Sequence, residues 1–426
     1  MLCFYNRQMR LCDKLKNGIA IIPNYSFSER ILNRGYFFSE DNFYYLTGFK
    51  EPDSLLLLDL DKKMRVLFCR EKNIAKEIWD GPILGLEYGR EYFDEVYSIE
   101  NFQKVLESKL TELHRNTIYY TTGISSYDSL VNLTIAQYHL NKKSNNILVQ
   151  DVNMYIAQMR LVKDNYELEL LTKAAQISSR AHISCMNKIK SMHNEIDAEA
   201  EFLAVCYAYS ERQLAYNPIC AFGANACTLH YNNNSQKFVG QQMILLDCGV
   251  MVDGYASDIT RTYPVTGEFS KQQQAIYEIV LEANEQAIKA IKLGNRYGVH
   301  GDVALRVIVQ GLIDIGLLCG NLEDNLVQKT YKDFYMHSIG HWIGLAVHDV
   351  GGYEEEPGIA RELVSGMVFT IEPGIYIRPS NTTPEKYWNI GVRIEDEISI
   401  TDQGVNVLSG IVPKSVDEML YIINGN

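Results

Sequence analysis

The 426-residue chain is 46% hydrophobic and 22% charged, with 28 tyrosines, which is not the composition of a disordered chain. At roughly 100–200 residues per domain, its length predicts two or three domains. Forty Lys+Arg against 53 Asp+Glu give a formal charge of −13, which argues against a nucleic-acid partner.

No apolar run approaches the ~18–20 residues of a membrane span, so no membrane partner is expected. The start, MLCFYNRQMRLCDKL, lacks the basic-then-apolar layout of a signal peptide. The nine cysteines are scattered and contain no CxxC pair. That argues against a disulfide framework or a zinc-thiolate site, and a cytosolic, cytoplasmic chain is expected.

AIIPNY (20–25), FYYLTGF (43–49), SLLLLDL (54–60) and MRVLFC (64–69) have the length and bounding residues of strands. ENFQKVLESKLTEL (101–114) and SLVNLTIAQYHLNKK (129–143) have helical spacing, and ILVQDV (147–152) reads as a last strand. This alternation predicts an α/β domain over residues 1–158. Past Met159 the pattern changes. Asp164, with Glu167 at the capping-box position, opens a helix running to about Lys190. Further long helices are expected from Ser270 to about Lys292 and from His300 to about Leu318. Strand patterns at MILLDCGVMV, YASDITRTYPV, MVFTIEPGIYI and VRIEDEISI stand in separate runs. They predict an α+β domain over residues 159–426.

Asp253-Gly254 is a strong signal for a two-residue hairpin turn. With these two as the loop, Asp258 faces position 249, and Asp247 lies two residues from 249 on the same face. The carboxylates then become diagonal neighbours, roughly 7–8 Å apart at the backbone. Glu372 ends the strand MVFTI, just before Pro373-Gly374. In VRIEDEISI, alternation sets Val392, Ile394, Ile398 and Ile400 on one face and Arg393, Glu395 and Glu397 on the other. Asp396 breaks that pattern. A single strand carboxylate is ordinarily a solvated outer-face residue. Four in apolar strand contexts need partners, and cations are the usual ones.

Three histidines, His337, His341 and His348, fall in HSIGHWIGLAVHD. Gly340, Gly344, Gly351 and Gly352 punctuate this stretch, so loop and short strand are expected. His230, in CTLHYNNN, follows a similarly punctuated segment. His114, His139, His182, His193 and His300 sit in helical or turn contexts and are assigned no chemistry. One imidazole with four carboxylates is a hard donor set that suits Mn²⁺, Co²⁺ or Fe²⁺. Two divalent ions about 3.5–4 Å apart balance four carboxylates better than one ion does.

DCGVMVDGYASDITRTYPV, HSIGHWIGLAVHDVGGY, FTIEPGIY and GVRIEDEI, in this order, resemble the core of the pita-bread metallopeptidases of family M24. That fold is shared by aminopeptidase P, prolidase, methionine aminopeptidase and creatinase. FSEDNFYYLTGFKEPDSLLLLDL and EIWDGPILG are similar to the amino-terminal domain of bacterial aminopeptidase P. The resemblance thus implies an α/β N-terminal domain followed by an α+β pita-bread catalytic domain. It implies two divalent ions held by Asp247, Asp258, His341, Glu372 and Glu395, with Asp258 and Glu395 bridging them. Mn²⁺ is the first expectation, with Co²⁺, Fe²⁺ or Zn²⁺ as alternatives.

The implied reaction is hydrolysis of the bond between a free N-terminal residue and a following proline, by attack of a metal-bridging hydroxide. Glu372 is the implied general base. His348 and His337 are implied to contact the substrate or stabilise the oxyanion. His230 and Arg393 are implied catalytic and substrate-binding groups, Tyr353 is implied to bind substrate, and a homo-oligomer, dimer or tetramer, is expected. Prolidase, with the same chemistry restricted to dipeptides, is the alternative. A catalytically silent pita-bread binding protein is a third reading, opposed by five filled ligand positions. The sequence departs from the family pattern at Ser338, where glycine is usual. It departs at Leu32, Asn33 and Arg34, where bacterial members carry an acidic residue that reaches a neighbouring active site. It departs again at Glu354-Glu355-Glu356, where a basic residue is expected. Trp79, which matches a tryptophan at a subunit contact, is retained.

Overall fold

The computed structural model describes residues 2–27, 39–112, 117–123, 126–142, 147–209 and 212–425. Leu32, Asn33, Arg34 and His114 lie outside the described residues, as does the side chain of His139. The chain divides into two compact units, Met1–Arg160 and Leu161–Asn426.

The first unit is built on β1 (Ile19–Pro23), β2 (Leu55–Asp59), β3 (Met64–Cys69), β4 (Glu95–Ser98), β5 (Thr117–Tyr119) and β6 (Leu148–Gln150). They form one sheet in the order β4-β3-β2-β1-β5-β6. The β1–β2 and β2–β3 pairs are antiparallel, and β4, β5 and β6 join in parallel. All five residues of β2 are buried, as a strand covered on both faces requires. Helices Phe102–Glu112 and Asp128–Lys142 bring Phe102, Leu106, Val131 and Ile135 into a core with Ile21, Leu57 and Phe68.

One strand expectation fails here. FYYLTGF does not form a strand, because Asp41–Thr47 is a helix. Its N-cap is Glu40, whose side chain accepts from Phe43 N–H, and Gly48 at φ 64° closes the other end. All seven helical residues are buried. A segment apolar all round shows neither a period of two nor one of 3.6, so the wrong element was read. The helices Leu2–Leu15 and Glu195–Ala208 also carried no expectation. Helix Ile74–Asp80 leaves Ile74, Ile78 and Trp79 exposed.

In the second unit, Asp164 and Ser270 cap helices Asn165–Lys188 and Lys271–Ala290 through capping boxes with Glu167 and Gln273. The sheets use β7 (Ile219–Phe222), β8 (Met243–Asp247), β9 (Met251–Val252), β10 (Tyr255–Ala256) and β11 (Thr260–Pro264). They continue with β12 (Glu354–Glu356), β13 (Ile359–Ala360), β14 (Val368–Ile371), β15 (Gly374–Ile377), β16 (Ile390–Arg393), β17 (Asp396–Thr401) and β18 (Gly404–Val407). Three-stranded sheets run β11-β8-β7 and β14-β17-β18, and β15 pairs with β16.

The hairpin forms at Asp253 (φ 48°) and Gly254 (φ 87°), with Val252 opposite Tyr255. The same register continues down the strands to set Asp247 opposite Thr260. VRIEDEISI is two strands rather than one. Glu395 stands at the break between β16 and β17 and is bridged to Thr260. Among the described residues no helix is long and apolar enough to cross a membrane.

His300, in the helix Val299–Asp314, is fully buried against Tyr297 and Phe369, and neither ring nitrogen has a partner among the described residues. Burial pushes its pKa down to about 4. In the unfolded chain the ring titrates near 6.5. Below that value the unfolded state takes up a proton that the folded state refuses until about pH 4. The lowered pKa therefore costs nothing at pH 7, and stability is lost as pH falls from about 6.5 to about 4. His300→Phe is expected to gain on the order of 3 kcal/mol over the parent across that window. Urea unfolding of both chelated proteins at several pH values measures it. Parallel pH profiles would refute the assignment.

Candidate metal centre

Each carboxylate reaches the site from the end or break of a strand. Asp247 ends β8, Asp258 follows β10, Glu372 follows β14 and Glu395 lies between β16 and β17. The histidine segment 337–348 is irregular, and Trp342 is bridged to Phe369 of β14. Gly340 permits the close approach this needs, because a Cβ there would stand 1.9 Å from the Thr370 carbonyl oxygen. Thr370 then donates its N–H to the His341 carbonyl, and His341 N–H donates to Thr370 Oγ1 at 3.0 Å.

The five expected ligands come together. Tyr216 OH lies 2.6 Å from both Asp247 Oδ1 and Asp258 Oδ1, tying the two carboxylates to one hydroxyl. His341 Nε2 stands 3.4 Å from Asp258 Oδ2 and 3.6 Å from Glu372 Oε1. Ligand atoms of Asp258, His341 and Glu395 all lie within 4.8 Å of one another. Glu395 Oε2 accepts from Thr260 Oγ1 at 2.6 Å. Asp247 Oδ2 meets Arg393 Nη2 at 2.5 Å.

The electrostatics follow from crowding like charges away from water. Burial raises Glu395 well above the carboxylate range, and Asp258, Glu372 and Asp247 add to the rise. Burial likewise pushes Glu372 up to about 7, against the pull of His341 and Arg393. Asp247 is raised by burial, less so because Arg393 sits beside it. Burial works against a charged His341, but Asp258 and Glu372 overcome it and push the imidazole up to about 9.

The remaining expected residues divide. His337 Nδ1 donates to the Ser338 carbonyl at 2.8 Å, so its Nε2, 2.9 Å from Tyr376 OH, accepts from the phenol. Arg393 Nη1 donates to the same phenol oxygen at 2.9 Å. Burial, then Arg393, pushes His337 down to about 4, which keeps the ring neutral. His348 stacks edge-on to His341 with ring centroids 4.2 Å apart and makes no hydrogen bond to a described residue. His230, His348, Tyr353 and Arg393 all line the cavity of about 840 Å³ that contains the four carboxylates. Glu354–Glu356 form an exposed strand directly after Tyr353.

Sequence reading missed Tyr216, Thr260 and Tyr376. Thr260 carried a usable signal, since it stands two residues from Asp258 in the same strand pattern and so shares its face. Tyr216 carried none, because nothing in LAYNPI marks a phenol that bridges two acids.

Residues 169–402 match the metallopeptidase family M24, and residues 4–119 match the aminopeptidase P N-terminal domain. The chain belongs to metallopeptidase family M24. Among its relatives is the Xaa-Pro aminopeptidase of Haemophilus influenzae, 36% identical over 99% of this chain and 97% of that one. The Xaa-Pro aminopeptidase of Escherichia coli is 34% identical over 98% of this chain and 96% of its own. The structure of Pseudomonas aeruginosa aminopeptidase PepP superposes with a TM-score of 0.92 at 35% identity, over 99% of this chain and 97% of that one. A variant of Escherichia coli aminopeptidase P in complex with substrate also reaches 0.92, at 32% identity, over 100% of this chain and 98% of that one. The pita-bread M24 fold and the use of a divalent metal follow for this chain.

The donor set fits that metal. His341 Nδ1 donates to the Trp342 carbonyl at 3.1 Å, which turns the Nε2 lone pair toward Asp258 and Glu372. A lone pair facing carboxylate oxygens requires a proton or a cation between them. Among the described residues, the four acids, three of them buried, meet one guanidinium, that of Arg393, and the imidazole of His341, which leaves negative charge for a divalent ion to balance.

Proposed function

We infer that the chain is a metal-dependent exopeptidase that hydrolyses the bond between a free N-terminal residue and a following proline. The observation that carries this reading is a cavity of about 840 Å³ lined by four carboxylates, three of them buried, with Asp258, Glu372 and Glu395 gathered at His341. Asp247, Asp258, His341, Glu372 and Glu395 would hold two divalent ions, Mn²⁺ first, which supply Lewis acidity and make a water nucleophilic at neutral pH. Glu372 would take the proton from the attacking water at its carboxylate and return it to the leaving nitrogen.

Arg393 favours the ionised form of Asp247 and, through Tyr376, keeps His337 in one tautomer. With both nitrogens of His337 engaged, His348 and His230 are the imidazoles left with N–H groups to offer a developing oxyanion or the peptide. Tyr353, stacked on Trp342 at 5.5 Å, gives the cavity an aromatic wall suited to an apolar ring. Proline suits such a wall, because its nitrogen has no hydrogen that would need an acceptor.

The cavity lies toward the upper end of the roughly 300–1,000 Å³ usual for ligand sites, which leaves room beyond a dipeptide. This favours an aminopeptidase over a prolidase. The exposed Trp79, beside Ile74 and Ile78, supports a homo-oligomer, and the reading includes a cytoplasmic location. An Xaa-Pro-Yaa tripeptide is expected to show kcat/KM at least about tenfold above its Xaa-Pro dipeptide in Mn²⁺. Chelator should abolish both activities. Turnover of dipeptides alone would make the enzyme a prolidase.

A further inference from the structure

His230 lines the cavity, is exposed, and makes no hydrogen bond to a described residue. Nothing on the imidazole itself therefore fixes its place. Its position is that of the backbone on either side of it. That backbone is held by one carboxylate across the fold, at the first residue of helix Glu195–Ala208.

Glu195 is fully buried. Its Oε1 accepts from Phe222 N–H at 2.7 Å and from Asn225 Nδ2 at 2.8 Å. Its Oε2 accepts from Tyr231 OH and from Gln236 N–H, each at 2.7 Å. Glu195 N–H donates in return to the Gln236 carbonyl at 3.0 Å. These contacts bracket His230 on both sides. Among the described residues no lysine or arginine pairs with Glu195, so four donors and the positive end of its own helix hold the charge. One turn along the helix, Glu199 accepts from Asn234 Nδ2 at 2.8 Å and pins the same segment again.

We propose that Glu195 is the positioning residue for His230, setting through its four hydrogen bonds where that imidazole stands in the cavity. The proposal rests on the reading that His230 acts on the peptide. Glu195 and Tyr231 do not line the cavity, so a change at either reaches the reaction through the segment they hold. Leu229 and Tyr231 also pack on Ile219, Ala221 and Leu245, so the segment keeps an apolar anchor when one polar contact is lost.

Tyr231→Phe removes the hydroxyl that donates to Glu195 and that also meets Ser235, and it keeps the ring. It should lower kcat/KM for an Xaa-Pro-Yaa tripeptide about tenfold. In a His230→Ala background the same change should cost less than about twofold, because the group it positions is gone. In metal-free protein with ¹³C-labelled histidine, the His230 Cε1–H signal should shift or broaden in Tyr231→Phe. It should do so more strongly in Glu195→Gln, whose amide cannot accept four donors. His230→Ala identifies that signal. An unmoved His230 signal in both variants overturns the proposal. So does an equal Tyr231→Phe penalty with and without His230. Undiminished turnover in His230→Ala instead overturns the role given to His230, which is a separate failure of the functional reading.

Discussion

Glu395→Ala is expected to abolish measurable turnover and to strip bound divalent metal from the protein, while the chain stays folded. Glu395 sits at the break between two strands, 2% exposed, where its carboxylate is grouped with Asp258 and His341. Loss of an outer partner of a metal site alone costs roughly 10–100-fold in affinity or activity. Removal of a carboxylate proposed as a metal ligand should therefore cost on the order of a thousandfold or more. The variant should not unfold in chelator. Burial and three neighbouring acids make Glu395 an electrostatic liability when no cation is bound, and alanine relieves it. Elemental analysis, turnover in Mn²⁺ and thermal unfolding in chelator separate these effects. Full activity in the variant would remove Glu395 from the metal centre.

The second large effect is on stability. Arg261 is fully buried and directs all its donors inward. Nη1 reaches the carbonyls of Thr260 (2.9 Å) and Glu395 (2.6 Å). Nη2 reaches Asp396 Oδ1 (2.7 Å) and the Val412 carbonyl (3.2 Å), and Nε reaches the Pro413 carbonyl (3.3 Å). Asp396 also accepts from Lys414 Nζ and Ser409 Oγ, each at 2.7 Å. Burial alone would raise Asp396, but Arg261 and Lys414 hold it below the usual carboxylate range.

Arg261→Met leaves that carboxylate half-matched and several carbonyls without donors. The expected cost is on the order of 3–5 kcal/mol by urea unfolding in chelator. Arg261→Met/Asp396→Leu removes both charges and should recover much of the loss. A single variant within about 1 kcal/mol of the parent would show that the pair is not a structural tie.

Asp396 also shows where sequence reading stops. In VRIEDEISI it broke the alternation, and a strand pattern has no term for a residue facing a guanidinium from a strand more than 130 positions away. The buried pair Lys163–Asp349, 3.2 Å apart across 186 residues of sequence, is the same case. FYYLTGF failed for a different reason. Its burial is complete, so the apolar run held no period from which strand and helix could be told apart.

The hairpin at Asp253-Gly254 was legible because its turn chemistry and strand register are both local properties. The capping boxes at Asp164 and Ser270 are local in the same sense.

What the sequence determined by itself was therefore the inventory and its local geometry. The negative balance and the absence of an 18-residue apolar run were readable without coordinates, as were four carboxylates in strands and a glycine-punctuated histidine segment. The tertiary structure decided which of these residues share one dielectric environment. It gathered four acids and one imidazole around one cavity, tied them through Tyr216 and Thr260, and turned Asp396 away to Arg261. Electrostatic energies depend on distance in space and on burial. Neither is a function of position along the chain, and so the chemistry of this site was decided by the fold.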